Sequence, residues 1–224
     1  LKTIMIDPGH GGSDPGATYK GNEEKNFNLL TALVVRDYLV SNYNVKVLMT
    51  RTGDQTLSLS DRCNLANRSN LDFYLSIHHN AGGGTGFESY VYNGSVPTQT
   101  LSYQKIIHEE VITAIKPFKV TDRGKKRANF HVLRETKMPS MLVEVLFVDN
   151  SKDVALLIDL KFRQAVGFSL AKGVAKALSL PAKESGKKPL FKVIAGSFTE
   201  RKNAEDRVKE LKAASFESFI EREC

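Results

Sequence analysis

Thr3-Ile4-Met5-Ile6-Asp7-Pro8-Gly9-His10-Gly11-Gly12 is the stretch on which the fold class turns. A short apolar run, Thr3 to Ile6, reads as a strand and breaks into a glycine-rich turn. In Lys25 to Val40, Phe27, Leu30, Val34 and Tyr38 recur every three or four residues, which predicts a helix with one apolar stripe laid on a sheet. Val45 to Thr50 reads as the next strand and completes a β-α-β unit. Further strands are predicted at Asp72 to Ile77, Phe87 to Tyr92 and Met141 to Leu146. Helices are predicted at Ser58 to Ser69, where Ser58 and Asp61 have capping-box spacing, at Leu101 to Ile115 and at Lys161 to Leu178. This alternation predicts an α/β domain over residues 1–180, built on a largely parallel twisted sheet flanked by helices.

The chain has 224 residues, 41% hydrophobic and 25% charged, enough for one substantial core without staples. No stretch approaches the roughly 20 apolar residues of a membrane helix, so no membrane span is expected. Two cysteines, Cys63 and Cys224, argue against both a cysteine zinc site and a disulfide scaffold. A net charge of +7 points to an anionic partner. The basic run Arg123-Gly124-Lys125-Lys126-Arg127 has few aromatic neighbours, so it reads as a solvated loop or a contact for an anionic polymer, with no nucleic acid expected. No targeting peptide is visible at the first residues. Pro181 to Pro189 carries no large apolar residue and reads as a linker (181–189). Residues 190–224 then read as a small βαβ fragment: strand-like at Leu190 to Ala195, helical at Glu200 to Ala214 and strand-like at Phe216 to Ile220.

The glycine-rich turn has neither the spacing nor the lysine of a phosphate loop, so its glycines are read as presenting His10 at the carboxyl edge of the sheet. Glu24 precedes the first long helix and His78 ends a strand, so a parallel sheet can bring all three to one edge. Two imidazoles and a carboxylate are a known catalytic zinc set. Glu144 lies inside the apolar run Ser140 to Phe147, where a carboxylate is costly unless paired, metal-facing or catalytic; the alternative is a solvated edge-strand Glu. Asn80, two residues beyond His78, either supports that ligand or the substrate or stabilises a turn. His79 should point away from His78. His108, beside Glu109 and Glu110, reads as a solvated surface residue, and His131 as structural.

The ordered motifs Asp7 to Gly12, Asp14-Pro15-Gly16-Ala17, Glu24-Lys25, Thr50-Arg51, Leu59, Arg62, Ala66-Asn67, Ser76 to Ala81, Asp122-Arg123-Gly124, Val132-Leu133-Arg134 and Pro139 to Glu144 resemble the zinc-dependent N-acetylmuramoyl-L-alanine amidases of the type 3 fold. The resemblance spans residues 2–179. It implies one Zn²⁺ held by His10, Glu24 and His78, Glu144 as the catalytic carboxylate, and peptidoglycan as substrate. Of the adjacent pair Glu23 and Glu24, only Glu24 matches the Glu-Lys motif. Leu146 stands where the family has Gly, and His79 where it has a small residue. Phe191-Lys192-Val193 and Ala195-Gly196-Ser197-Phe198 resemble half of a sporulation-related (SPOR) repeat, implying glycan binding, with the missing half either borrowed from another chain by self-association or truncated. The implied location is extracellular or in the cell wall, reached by lysis or an unseen export route. The alternative is another zinc amide hydrolase acting on cell-wall peptides.

Overall fold

The opening apolar run forms β1 (Lys2–Pro8) in a computed structural model that describes residues 1–183, 196 and 198–213. A two-residue hairpin, β2 (Thr18–Tyr19) and β3 (Asn22–Glu23), leads into α1 (Glu24–Asn42). Then follow β4 (Val45–Met49), α2 (Leu59–Arg68), β5 (Phe73–Asn80), β6 (Phe87–Tyr92) and α3 (Thr98–Ile115). The chain continues through β7 (Asp122–Ala128), the single turn α4 (His131–Arg134), β8 (Ser140–Phe147), α5 (Ser151–Ile158), α6 (Leu160–Ala177) and α7 (Arg201–Ala213). Six strands make one sheet in the order β4-β1-β5-β8-β6-β7. Every neighbouring pair is parallel except β6 and β8.

The central strands β1, β5 and β8 are buried on both faces, which is why they are near-continuous apolar runs rather than alternating ones. One face carries Ile4, Ile6, Phe73, Leu75 and Val143, packed under apolar residues of α1, α3 and α6. The other carries Met5, Tyr74 and Leu142 under Cys63 and Ala66 of α2 and Val132 and Leu133 of α4. At the start of α2 the Ser58 side chain accepts from Asp61 N and the Asp61 side chain accepts from Ser58 N, the capping box expected there.

Three expectations are corrected. The buried face of α1 is Phe27, Asn28, Thr31, Ala32, Val35 and Leu39, whereas Leu30 is exposed. This helix touches two surfaces, the sheet through those residues and α6 through its flank, where Tyr38 meets Phe168, so no single apolar stripe describes it. The basic run 123–127 is not a loop but most of β7, at the sheet edge. A strand paired on one side only, with one surface in water, needs no apolar run, and charge there blocks edge-to-edge association. His108 is buried: its Nδ1 lies 2.9 Å from Ser89 Oγ and its Nε2 2.9 Å from Asp122 Oδ1. It sits on the inward face of α3, beyond the exposed Glu109, and burial holds its pKa below the usual histidine value despite Asp122.

Two compact units emerge, Leu1–Glu184 and Ser185–Cys224. Pro181 to Lys183, the expected start of the linker, are tied to the first unit, since Asn44 N donates to Pro181 O and Lys183 N to Asn42 O. In the second unit the helix α7 carries Ala204, Val208 and Leu211, partly buried, on one face. The strand-like segments 190–195 and 216–220 lie outside the described residues, as does Cys224. Among the described residues no helix is long and apolar enough to cross a membrane.

Candidate metal centre

Two buried arginines shape the turn after β1. Arg51 donates to the carbonyls of Pro8 (3.0 Å), Gly9 (2.8 Å) and Lys25 (2.9 Å), and Arg62 to those of Pro8 (2.8 Å) and His10 (2.7 Å). Arg62 also pairs with Asp7 at 2.7 Å, and Asp7 accepts from Thr50 and Ser76. The carbonyls of Pro8, Gly9 and His10 are therefore all held by arginine, which fixes the backbone at His10, whose φ is 57°. Asp7 stays ionised: burial pushes its pKa up, but the Arg62 charge and the hydroxyl donors outweigh it.

His10, Glu24 and His78 converge, with one donor atom from each lying within 4.8 Å of the others. Glu24 Oε1 is 2.9 Å from His78 Nδ1, and Glu24 Oε2 is 3.2 Å from His10 Nε2. The rest of the carboxylate is held by Ala17 N, His79 N and Asn28 Nδ2. His10 Nδ1 lies 2.8 Å from Asp14 Oδ2, which leaves Nε2 for the cluster. Two glycines make room. A Cβ on Gly9 would collide with the His78 ring, and one on Gly16 would lie 2.6 Å from Glu24 Oε2 and 2.7 Å from His10 Cδ2. Burial pulls the His10 pKa down, but Glu24 and Asp14 outweigh it and raise it to about 9. For Glu24 burial acts upward, and the two histidines hold it well below the usual carboxylate range.

Glu144 lies on β8 opposite His78 of β5. Its Oε2 is shut off from solvent and has no hydrogen-bond partner. Burial raises its pKa to about 7, with His78 opposing and Glu24 and Glu88 adding. Beside it the buried Glu88 accepts from Asn80 Nδ2 (2.6 Å), Tyr90 Oη (2.8 Å) and Arg123 Nε (2.7 Å), and is paired with Lys126 Nζ. Asn80 thus sits at the site's edge with its amide nitrogen engaged by Glu88. His79 turns toward α1, its Nδ1 2.6 Å from Asn28 Oδ1, and burial drives its pKa down to about 3. Glu23 is outside the cluster, near Lys25 and Asn26. His131 is only partly buried and lies 3.4 Å from Arg134.

A family model described as N-acetylmuramoyl-L-alanine amidase matches residues 4–176. The chain belongs to that family. A SPOR domain model matches residues 169–221. The N-acetylmuramoyl-L-alanine amidase CwlM of Bacillus licheniformis is 46% identical over 218 residues, covering 97% of this chain and 83% of its own. The sporulation-specific N-acetylmuramoyl-L-alanine amidase of Bacillus subtilis (strain 168) is likewise 46% identical, with 97% and 83% covered. Among solved structures, the N-acetylmuramoyl-L-alanine amidase of Clostridium difficile 630 superposes with a TM-score of 0.75 at 33% identity, covering 80% of this chain and 97% of that one.

For this amidase family member, sequence reasoning singled out the converging trio and Glu144 but passed over Asn28 and Glu88 and gave Asp7 and Asp14 no role beyond their motifs. Asp14 carried a readable signal, an acid four residues after His10 in a glycine-rich turn. Glu88 carried none, because its partners come from β5, β6 and β7.

Proposed function

We propose that this chain is a zinc-dependent peptidoglycan amidase that cleaves the bond between the lactyl group of N-acetylmuramic acid and L-alanine of the stem peptide. The observation that carries the reading is Glu144, a carboxylate with one oxygen buried and unpaired, directly opposite His78 and on the same sheet face. Two imidazoles and one carboxylate fit a catalytic zinc site with an open fourth position, and the clearance at Gly9 and Gly16 lets the three donors converge. His10, Glu24 and His78 would hold the ion, with Asp14 fixing the His10 tautomer. A bound zinc supplies Lewis-acid polarisation of the scissile carbonyl and of the attacking water.

Glu144 does the proton work. As the water oxygen bonds to the carbonyl carbon, Glu144 Oε2 accepts its proton, then delivers it to the departing nitrogen as the carbon–nitrogen bond breaks. The products are a muramic acid carboxylate and a peptide with a free L-alanine amine. In the metal-free protein burial raises the Glu144 pKa to about 7, and a cation held by the neighbouring trio would oppose that rise, favouring the ionised form that accepts the proton. We assign catalysis to residues 1–180 and wall attachment to a partial SPOR repeat over 190–224, with 181–189 between them, acting in the cell wall on peptidoglycan and anionic wall polymer.

Mass spectrometry of digested peptidoglycan tests the assignment. The expected products are glycan strands freed of stem peptides bearing new L-alanine amines, formed by the zinc-loaded protein and not after chelation. Cleavage between two stem-peptide residues, or turnover unaffected by a chelator, overturns it.

A further inference from the structure

We propose that Arg123 and Lys126 form a carboxylate-binding subsite for the stem-peptide residue that follows L-alanine. The inference rests on the amidase reading above and extends it along the sheet. His78, Glu144 and Glu88 are successive register partners across β5, β8 and β6, so they form a row on one face. The register of β6 and β7 shifts between Phe87 and Ser89, which pair with Asp122 and Lys125, so Arg123 and Gly124 together oppose Glu88. The row thus ends in positive charge.

Two cations meet one carboxylate there. Glu88 is 1% exposed, whereas the side chains of Arg123 and Lys126 are 34% and 36% exposed, so the pair carries an excess of one positive charge toward solvent. Arg123 is held rigidly. Its Nε bonds Glu88, its Nη1 lies 3.4 Å from Thr85 O, and its guanidinium stacks 4.9 Å from the Phe147 ring centroid. Its Nη2 has no hydrogen-bond partner among the described residues, and a fixed guanidinium edge suits a carboxylate. A stem peptide bearing carboxylates must also enter a site that already holds Glu24, Glu88 and Glu144, and a cationic end offsets that repulsion.

The spacing selects which residue of the stem is read. Strands lie about 4.8 Å apart, so two strand spacings put the Arg123 backbone about 10 Å from that of Glu144, and the guanidinium reaches back from there to Glu88 on the strand between. An extended peptide advances about 3.5 Å per residue. Where the second residue is joined onward through its side-chain carboxyl, its free α-carboxylate lies about 7 Å from the scissile amide, within hydrogen-bond reach of a guanidinium placed between one and two strand spacings from Glu144.

The test compares two soluble muropeptides that differ only in whether the residue after L-alanine carries a free α-carboxylate or its amide. Zinc-loaded wild-type protein should cleave the free acid with a KM about tenfold lower and a similar kcat. Arg123→Gln should abolish that preference by raising KM for the acid alone, and Arg123→Lys should restore part of it. Cleavage of both substrates without preference overturns the subsite and leaves the amidase reading intact; cleavage of neither overturns both. An equal loss on both substrates in a folded, zinc-retaining Arg123→Gln protein means that Arg123 acts through Glu88 alone, and overturns the subsite. So does a loss confined to walls carrying anionic polymer, which would make the pair a wall-polymer contact. Should Arg123→Gln fail to fold, Lys126→Gln is read in its place by the same criteria, and the absence of a preference in the wild type overturns the subsite without any variant.

Discussion

Glu144 and His78 stand directly opposite one another on adjacent parallel strands, so both side chains leave the sheet on the same face. The relationship joins an imidazole of the His10, Glu24 and His78 cluster to a carboxylate with a free buried oxygen without any motif linking them in the chain.

Replacing Glu144 with Gln keeps the shape and removes the basic oxygen. Turnover of soluble muropeptide should fall by about 10² to 10⁴, the usual worth of a general acid or base, while zinc content by atomic absorption stays at one per chain. Near-normal turnover in this variant would remove Glu144 from the mechanism.

The raised pKa of Glu144 also has a stability consequence. Its carboxyl binds a proton more tightly folded than unfolded, so its contribution is full below about pH 4.5 and is lost as pH rises through about 7. In chelated protein, Glu144→Gln should therefore raise the melting temperature at pH 8, by at most about 3 kcal/mol of stability, and change it little at pH 4. Equal effects at the two pH values would show that folding does not shift the Glu144 pKa.

Arg62 supports His10 from below, so Arg62→Leu should act on stability and on metal retention together. It strands the buried Asp7 charge, a loss of about 3–5 kcal/mol in a urea melt. It also frees the His10 carbonyl, so zinc should pass to a competing chelator more readily than from wild type. Unchanged zinc retention in a folded variant would show that the turn does not need the clamp.

Leu146 adopts a φ of 62° at the point where β8 bulges against β5. Glycine is the residue such a bulge accepts without strain. Leu146→Gly should relieve about 1 kcal/mol of backbone strain yet empty a site that is 1% exposed, at a cost of about 3 kcal/mol or more. Net destabilisation is the expected sign in a denaturant melt. A stabilised variant would mean that strain outweighs packing here.

Deleting residues 185–224 should leave soluble muropeptide cleavage intact and weaken retention on sacculi, since every residue placed at the site lies in the first unit. The cut belongs after Glu184, because Lys183 N and the Pro181 carbonyl close hydrogen bonds at the end of α1. Loss of soluble-substrate cleavage in a folded truncation would contradict this division.

Much of this was fixed locally. Apolar runs set the strands from Thr3, Phe73 and Met141, because burial on both faces demands continuous hydrophobicity, the strands from Val45 and Phe87 carried the same signal interrupted by polar residues, and the Ser58 and Asp61 spacing fixed a helix start. The turn from Asp7 to Gly12 marked His10, because only glycine-rich backbone turns so sharply beside a strand end. What the tertiary structure alone decided depends on residues far apart in sequence. The basic stretch 123–127 became a strand only because β6 offered its edge, and His108 became a buried residue only because Ser89 and Asp122 receive its two ring nitrogens. The row from His78 through Glu144 and Glu88 to Arg123 exists only in the sheet's strand order, and strand order is set by which surfaces pack together rather than by any local propensity.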